Sequence, residues 1–149
     1  MPINASKRNN ANSGRKAHND NRYIKVGRVR MNSWMSSALS IADIFVSERE
    51  LVHITNKHSK ELNALGLDGL NYVLTIIENC QEVRKDDKTH AYLFALKQSI
   101  GNPIVHCAVV EIELSLMNRK KCYIIKTARP ESWSRLSCKT LLCAKSRKP

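Results

Sequence analysis

Residues 90–114, HAYLFALKQSIGNPIVHCAVVEIEL, mark the point where the chain changes from helical to β character. Two runs rich in β-branched and aromatic residues, 90–97 and 104–114, flank the turn-forming segment QSIGNP, which predicts two antiparallel strands. A third run, CYIIKT (residues 122–127), follows the polar segment SLMNRKK. The terminal segment SWSRLSCKTLLCAK is expected to add a fourth strand that ends near Leu142.

Upstream of these strands, the spacing of apolar residues predicts helices. Residues 31–45, MNSWMSSALSIADIF, have apolar positions at helical spacing. Ser47 and Glu50 form the capping-box pattern that begins a second helix, and Gly66 ends it. Asp68 is a plausible cap for a third helix. Helices followed by an antiparallel meander predict an α+β fold, with N-terminal helices packed on a four-stranded antiparallel β-sheet.

Charge is concentrated at the two ends of the chain. Residues 1–22 contain one Ile and no other large aliphatic residue, which predicts a disordered basic arm before a single domain of residues 23–149. The formal net charge is +12, with +7 in residues 1–30, +9 in residues 118–149 and −4 in residues 31–117. Clustered Lys and Arg favour nucleic acid as the partner, while an anionic membrane surface and an acidic protein remain alternatives.

The five cysteines form no CxxC pair and show no zinc-site spacing. The sequence has no apolar run near the ~18 residues of a membrane span, and its amino terminus has no signal-peptide core. We therefore predict a cytoplasmic protein with buried, reduced thiols, no metal, no cofactor and no membrane partner.

Two histidines lie in the second predicted helix. At about 100° per residue, with His53 at 0°, His58 falls at about 140°, while Lys57 lies on the outer face with His53. The apolar stripe of this helix comprises four residues: Leu51, Ile54, Leu62 and Leu65. An isolated histidine on such a stripe is more often a core residue than a catalyst, so both interpretations of His58 stay open.

The order of HITNKH (residues 53–58) on a helix, a second helix, and then AYLF, IVHCAVVEIEL, YIIKT and TLLCAK resembles phage-associated members of a nuclease superfamily. This superfamily, abbreviated BECR, groups barnase, EndoU, colicin-type tRNases and RelE toxins, and the similarity covers about residues 46–145. The resemblance implies a toxin-like or phage-encoded endoribonuclease that cleaves RNA without a metal, on a concave face between the helices and the sheet. It implies five site residues: His53, His58, Lys126, Thr127 and Ser134.

Metal-independent cleavage uses the 2′-hydroxyl of RNA as the nucleophile and forms a 2′,3′-cyclic phosphate. A histidine can take the proton of that hydroxyl or donate one to the leaving 5′-oxygen. We expect His58 to act as acid or base, with His53 as its partner or as a phosphate contact. No acidic residue is evident as a general base, and His106 has no assigned role.

The remaining candidate residues serve binding in this hypothesis. Lys57, Lys126 and Arg129 would stabilise the charge on the phosphorane, and Thr127 and Ser134 would bond a non-bridging oxygen. RNA would also be held by a stacking side chain and a further cation, Trp133 and Arg135. The expected partners are RNA, with tRNA as one candidate, and an immunity or antitoxin protein.

Two non-enzymatic alternatives fit the same composition. In a nucleic-acid-binding module, His58 is a core residue, and Lys126, Arg129 and Arg135 only position phosphates. In a phage- or toxin-associated interaction protein, the acidic middle of the chain matters more than its basic ends. Cleavage of RNA distinguishes the enzyme from both alternatives.

Overall fold

The computed structural model describes residues 22–97 and 107–145, so residues 1–21 of the predicted basic arm lie outside the described chain. The described elements, in chain order, are β1 (Tyr23–Val29), β2 (Ala42–Ser47), α1 (Glu48–Lys57), α2 (Ser59–Leu65), α3 (Gly69–Asn79), β3 (Glu82–Lys85), β4 (Tyr92–Leu96), β5 (Cys107–Met117), β6 (Lys120–Glu131), α4 (Trp133–Leu136) and β7 (Thr140–Ala144).

The strands form one seven-stranded sheet with the spatial order β1-β2-β6-β5-β4-β3-β7. β2 and β6 are parallel, whereas every other neighbouring pair is antiparallel. The predicted α+β fold, with N-terminal helices on a four-stranded antiparallel sheet, is therefore wrong. The sheet is larger and mixed, and two of its strands precede the first helix.

The first predicted helix, residues 31–45, is also wrong. Its first part forms successive turns, with backbone hydrogen bonds such as Ser36 N–H to the Ser33 carbonyl at 3.1 Å. Its second part is strand β2, whose side chains alternate toward the core. Trp34 and Met35 pack against the core from the turn segment. The apolar residues in this segment are at helical spacing because some of them pack against the core from a turn and the others from a strand.

The helix ends follow the predicted caps. The Ser47 and Asp68 side chains each accept a hydrogen bond from the backbone N–H three residues further on, at 3.0 and 2.8 Å. Gly66 ends α2 in the left-handed conformation, with φ 70°. One difference matters for function: the predicted single helix is broken at His58, which caps both α1 and α2.

The two faces of the sheet carry different cores. The face covered by α1, α2 and α3, here called the helix face, holds the larger core, to which Ile54, Leu62 and Val73 contribute from the helices. On the opposite face, here called the open face, α4 packs over β4 and β5 through Leu136. Opposite orientations of neighbouring strand residues account for this division.

All five cysteines are free, and three of them, Cys80, Cys107 and Cys122, are buried, as predicted for most of the thiols. Burial raises the pKa of the Cys80 thiol to about 12, so this thiol stays protonated at neutral pH. Cys138 is exposed and Cys143 is half-buried.

The parallel pairing of β2 with β6 positions α1. It runs from Asp43 opposite Cys122 to Phe45 opposite Ile124, after which β2 ends and α1 begins. β6 continues to Glu131, past the predicted end of the CYIIKT strand. α1 therefore contacts the second half of β6 at a place where no strand of the described chain pairs with that side.

Candidate functional site

The contact between α1 and β6 gathers most of the predicted polar residues into one group. We call this group the α1–β6 cluster, and it consists of Glu50, His53, Lys57, His58, Lys126 and Arg129. Four members lie on or directly after α1, and two lie on the part of β6 that runs beyond β2. Across this contact, the positive charge of Lys126 acts on the Glu50 carboxyl and that of Arg129 acts on the His58 imidazole.

Glu50 is the residue that the sequence analysis missed in this cluster. Its carboxyl oxygen Oε2 is buried and has no hydrogen-bond partner within the described chain. Burial raises the pKa of this carboxyl, and the positive charges of His53, Lys126 and Lys57 oppose the rise only in part. The capping-box pattern predicts that this carboxyl accepts a hydrogen bond from the Ser47 backbone N–H. The Ser47 hydroxyl does accept from the Glu50 N–H at 3.0 Å, but Glu50 Oε2 is left without a partner.

His58 lies at the joint between α1 and α2, with φ −118° and ψ 30°. Its side chain is half-buried, and its Nε2 atom is buried without a hydrogen-bond partner among residues 22–97 and 107–145. Burial lowers the pKa of this imidazole; Glu61 raises it, while the positive charges of Lys57, Arg129 and His53 lower it further. The ring is therefore neutral at neutral pH and suited to accept a proton rather than to donate one.

The three cations of the cluster differ in how far acidic neighbours occupy them. Arg129 is engaged twice, with Nη1 3.1 Å from Glu111 and Nη2 3.6 Å from Glu131. Lys126 makes one longer contact, 3.7 Å to Glu113, and both of these side chains are at least half exposed. Lys57 is exposed and forms no ion pair in the part of the chain that the structure describes.

Thr127 lies next to this cluster on the open face. A β-bulge shifts the pairing of β5 and β6, so that Glu111 is opposite Thr127 and Ile112 is opposite Ile125. Lys126 is the extra residue of the bulge, and a bulge of this kind reorients a side chain next to a site. The bulge therefore sets the orientation of Lys126 apart from that of Thr127, which lies opposite Glu111.

The three candidates on α4 lie elsewhere. Trp133 lies beside two cations, Arg84 on β3 and Lys97 directly after β4, with its ring centroid 5.3 Å from Arg84 Cζ and 5.1 Å from Lys97 Nζ. Ser134 places its hydroxyl 3.2 Å from that of Ser132, and Arg135 is exposed. β3 is separated from β6 by two strands, about 14 Å at ~4.8 Å per strand. The single predicted constellation thus divides into two groups.

Beneath Trp133, the positive charges of Arg84 and Lys97 pair with a buried carboxylate and so stabilise the fold. Glu82 accepts from Arg84 Nε at 2.7 Å and lies 3.3 Å from Lys97 Nζ. Burial by itself raises the pKa of Glu82, but Arg84 and Lys97 together lower it below its ordinary value. Arg84 also donates to the Lys139 carbonyl at 2.8 Å, so its guanidinium is satisfied within the fold. The E-V-R order of residues 82–84 already places both charges on one face of a strand.

Within residues 22–97 and 107–145, no three His, Cys, Asp or Glu side chains are arranged to hold a metal ion. No described helix is long and apolar enough to cross a bilayer. His106 lies outside the described residues. No protein-family model matches this chain, and no curated protein or solved structure matches it. The resemblance to BECR nucleases therefore stays a prediction.

Proposed function

We propose that the α1–β6 cluster cleaves RNA without a metal ion. The reaction is attack of a ribose 2′-hydroxyl on the adjacent phosphorus, which releases a 5′-hydroxyl and leaves a 2′,3′-cyclic phosphate. One observation carries the proposal: Glu50 Oε2 and His58 Nε2 are buried without partners at the two ends of α1, beside cations of β6. Buried polar groups without a partner are rare in folded proteins, and a catalytic role is one explanation for them.

Glu50 is proposed as the general base. A carboxylate with a raised pKa is more basic than an ordinary one and remains able to take the proton of the 2′-hydroxyl. His53, three residues further along α1, is proposed to donate a proton to the leaving 5′-oxygen. Residues at this spacing lie on the same side of a helix. The proton that leaves the 2′-oxygen is thus matched by one delivered to the 5′-oxygen.

Lys57 and Lys126 are proposed to neutralise the charge that develops on the phosphorane. Both are exposed and have at most one weak ion-pair contact within the described residues. A phosphate that enters the site can therefore contact both ammonium groups and has to break at most that one ion pair. Arg129, held by Glu111 and Glu131, contributes to the positive field, and its charge adds to the burial that lowers the pKa of His58. His58 is the alternative base, because its neutral ring can also accept the 2′-hydroxyl proton.

The α4 candidates are proposed as contacts to RNA away from the reacting phosphate. Trp133 is 42% exposed, and its ring can stack on an unpaired base. Ser134 and Arg135 are exposed on the same helix and can bond sugar or phosphate. We extend the proposal to a toxin-like or phage-encoded nuclease that acts on tRNA or another RNA. Its host would need an immunity or antitoxin protein. Expression of the wild-type chain alone should then arrest growth.

A nucleic-acid-binding module without catalysis is the second candidate, and a specific observation favours it. Lys57 and Lys126 are exposed on the surface, and Arg129 is already paired with two carboxylates. In that case the exposed cations bind phosphates and the substrate remains intact.

Two matched assays separate these functions. Cleavage of labelled single-stranded RNA in EDTA is compared for wild type, Glu50→Gln and His53→Gln, and binding is measured with a 2′-O-methyl RNA that cannot react. The proposal requires both variants to bind this RNA normally and to cleave the unmodified RNA about 10²–10⁴-fold more slowly. Normal binding by a wild type that cuts nothing would establish the binding module instead.

A further inference from the structure

A second candidate binding site lies on the open face, toward the opposite end of β2 and β6 from α1. A cavity of about 380 Å³ opens there between β1, β2 and the β5–β6 hairpin, and we call it the tip pocket. Its apolar part is lined by Ile41, Phe45, Met117 and Cys122. A volume in this range accommodates a small ligand.

The rim of the tip pocket is cationic. Arg28, Lys120 and Lys121 line it, against a single acidic lining residue, Asp43. Arg28 Nη1 lies 2.7 Å from the Asp43 carboxylate, and the hydrogen bond from Arg28 is the largest cause of the lowered pKa of that carboxyl. Asp43 is thus occupied within the fold. Lys120 and Lys121 are exposed and form no ion pair within the described chain, so they are available to an anion.

The hairpin beside the pocket has a basic residue, Arg119, at a loop position where glycine would make the fold more stable. Asn118 and Arg119 form its two-residue loop, with φ 52° and 67°. Positive φ at both loop positions is typical of a type I′ turn, for which Asn-Gly is strongly preferred. The backbone of Arg119 is in the left-handed region, which is unfavourable for residues other than glycine. Backbone strain of this kind is found often at functional positions.

We propose that the tip pocket binds one nucleotide of a single-stranded RNA, with the base on the apolar lining and a phosphate on Lys120, Lys121 and Arg119. The site goes beyond the α1–β6 cluster, although the choice of RNA as the polymer rests on the proposed function. Asp43, which lines the tip pocket, and Ser47, where α1 begins, are about 13 Å apart along β2 at ~3.3 Å per residue. RNA bound to both sites therefore spans several nucleotides. An acidic protein segment would use the cations but not the apolar lining, which includes Phe45.

The test measures binding of a fluorescein-labelled 2′-O-methyl RNA 12-mer to the full chain by anisotropy at several salt concentrations. Lys120→Ala/Lys121→Ala is compared with Lys60→Ala/Lys88→Ala, which removes two exposed lysines on α2 and in the β3–β4 turn. We expect the tip variant to weaken binding at least tenfold and to reduce the salt slope by about 1.4, at ~0.7 per phosphate contact on a single strand. Equal losses in both variants would overturn the proposal.

Arg119→Gly gives a second readout with opposite signs. Glycine relieves the left-handed position, so Tm is expected to rise, while RNA affinity is expected to fall. Unchanged affinity with a raised Tm would remove Arg119 from the site, and competition by polyglutamate as effective as that by RNA would replace the nucleotide with an acidic protein. Because the probe cannot be cleaved, these outcomes are independent of whether the α1–β6 cluster is catalytic.

Discussion

Glu50 and His58 lie at opposite ends of α1, and each carries a buried polar atom, Oε2 and Nε2 respectively, without a hydrogen-bond partner within the described residues. Leaving a polar group unsatisfied costs on the order of 1–3 kcal/mol, so a fold without further use for these groups would pair them or replace them. Their pKa values move in opposite senses, up for the carboxyl and down for the imidazole, because burial disfavours the charged form of both.

Replacing Glu50 by Gln should uncouple activity from stability. The folded-state pKa of Glu50 lies above its ordinary 4.5, so the ionised carboxylate destabilises the fold once the pH rises through that folded pKa. Glu50→Gln should therefore be more stable than wild type at pH 7, as measured by urea denaturation, while RNA cleavage falls about 10²–10⁴-fold. The stability difference should disappear below pH 4.5, where wild type is protonated too. A less stable variant at pH 7 would contradict the assignment of Glu50 as a strained functional group.

His58 should make the protein sensitive to mild acid. Its folded-state pKa lies below the ordinary 6.5, so the unfolded chain binds more protons in that window and stability rises with pH up to 6.5. Acidification below pH 6.5 should therefore lower the urea midpoint of wild type relative to that of His58→Gln. In His58→Gln this part of the pH dependence should be absent, whereas in the exposed-site control His90→Gln it should remain. Parallel pH profiles for wild type and His58→Gln would show that the ring titrates normally in the fold.

Substitution of single cations should distinguish those that stabilise the fold from those that bind substrate. Arg84→Met removes one partner of an ion pair whose side chains are both only 8% exposed, and we expect a loss of about 3–5 kcal/mol in the free energy of unfolding. Lys126→Met breaks an exposed contact and should cost at most ~1 kcal/mol, while it weakens RNA binding. Equal effects of the two substitutions on stability would contradict this division of the positive charge.

Glu113 should act as an intramolecular competitor for substrate phosphate. Its carboxylate lies 3.7 Å from Lys126 Nζ and is more than half exposed. Glu113→Gln frees the lysine and removes a repulsive charge, so affinity for 2′-O-methyl RNA should increase several-fold at low salt. The increase should be lost as salt screens the interaction. Glu78→Gln on α3, which also removes one exposed acid, is the matched control and should change affinity less.

Local patterns predicted the features of the fold that depend on neighbouring residues alone. Ser47 and Asp68 cap helices where expected, and Gly66 ends α2, because capping is decided within a few residues. β2 was misread because residues 31–45 have apolar side chains on both sides of a short strand and in the turn before it, and this spacing imitates a helix. Its parallel pairing with β6, more than 70 residues away, leaves no mark in the local pattern.

As with the fold, the features of the candidate site that depend on neighbouring residues could be predicted from the sequence, and those that depend on tertiary contacts could not. The helical wheel correctly indicated that His58 turns toward the interior, since Nε2 is buried. Glu50 was missed because the burial of its carboxyl and the influence of the Lys126 charge on it are tertiary facts. The separation of Trp133 from the histidines likewise depends on which strands α4 covers, and a residue spacing does not reveal that.

The most direct measurement is the chemistry of the RNA ends. Purified wild-type protein is incubated with a single-stranded RNA in EDTA, and the fragments are analysed by mass spectrometry, with Glu50→Gln as the control for contaminating nucleases. The account predicts fragments ending in 2′,3′-cyclic phosphate and 5′-hydroxyl groups with wild type, and intact RNA with the variant. Intact RNA with a wild type that binds it, or cleavage that EDTA abolishes, would contradict the account.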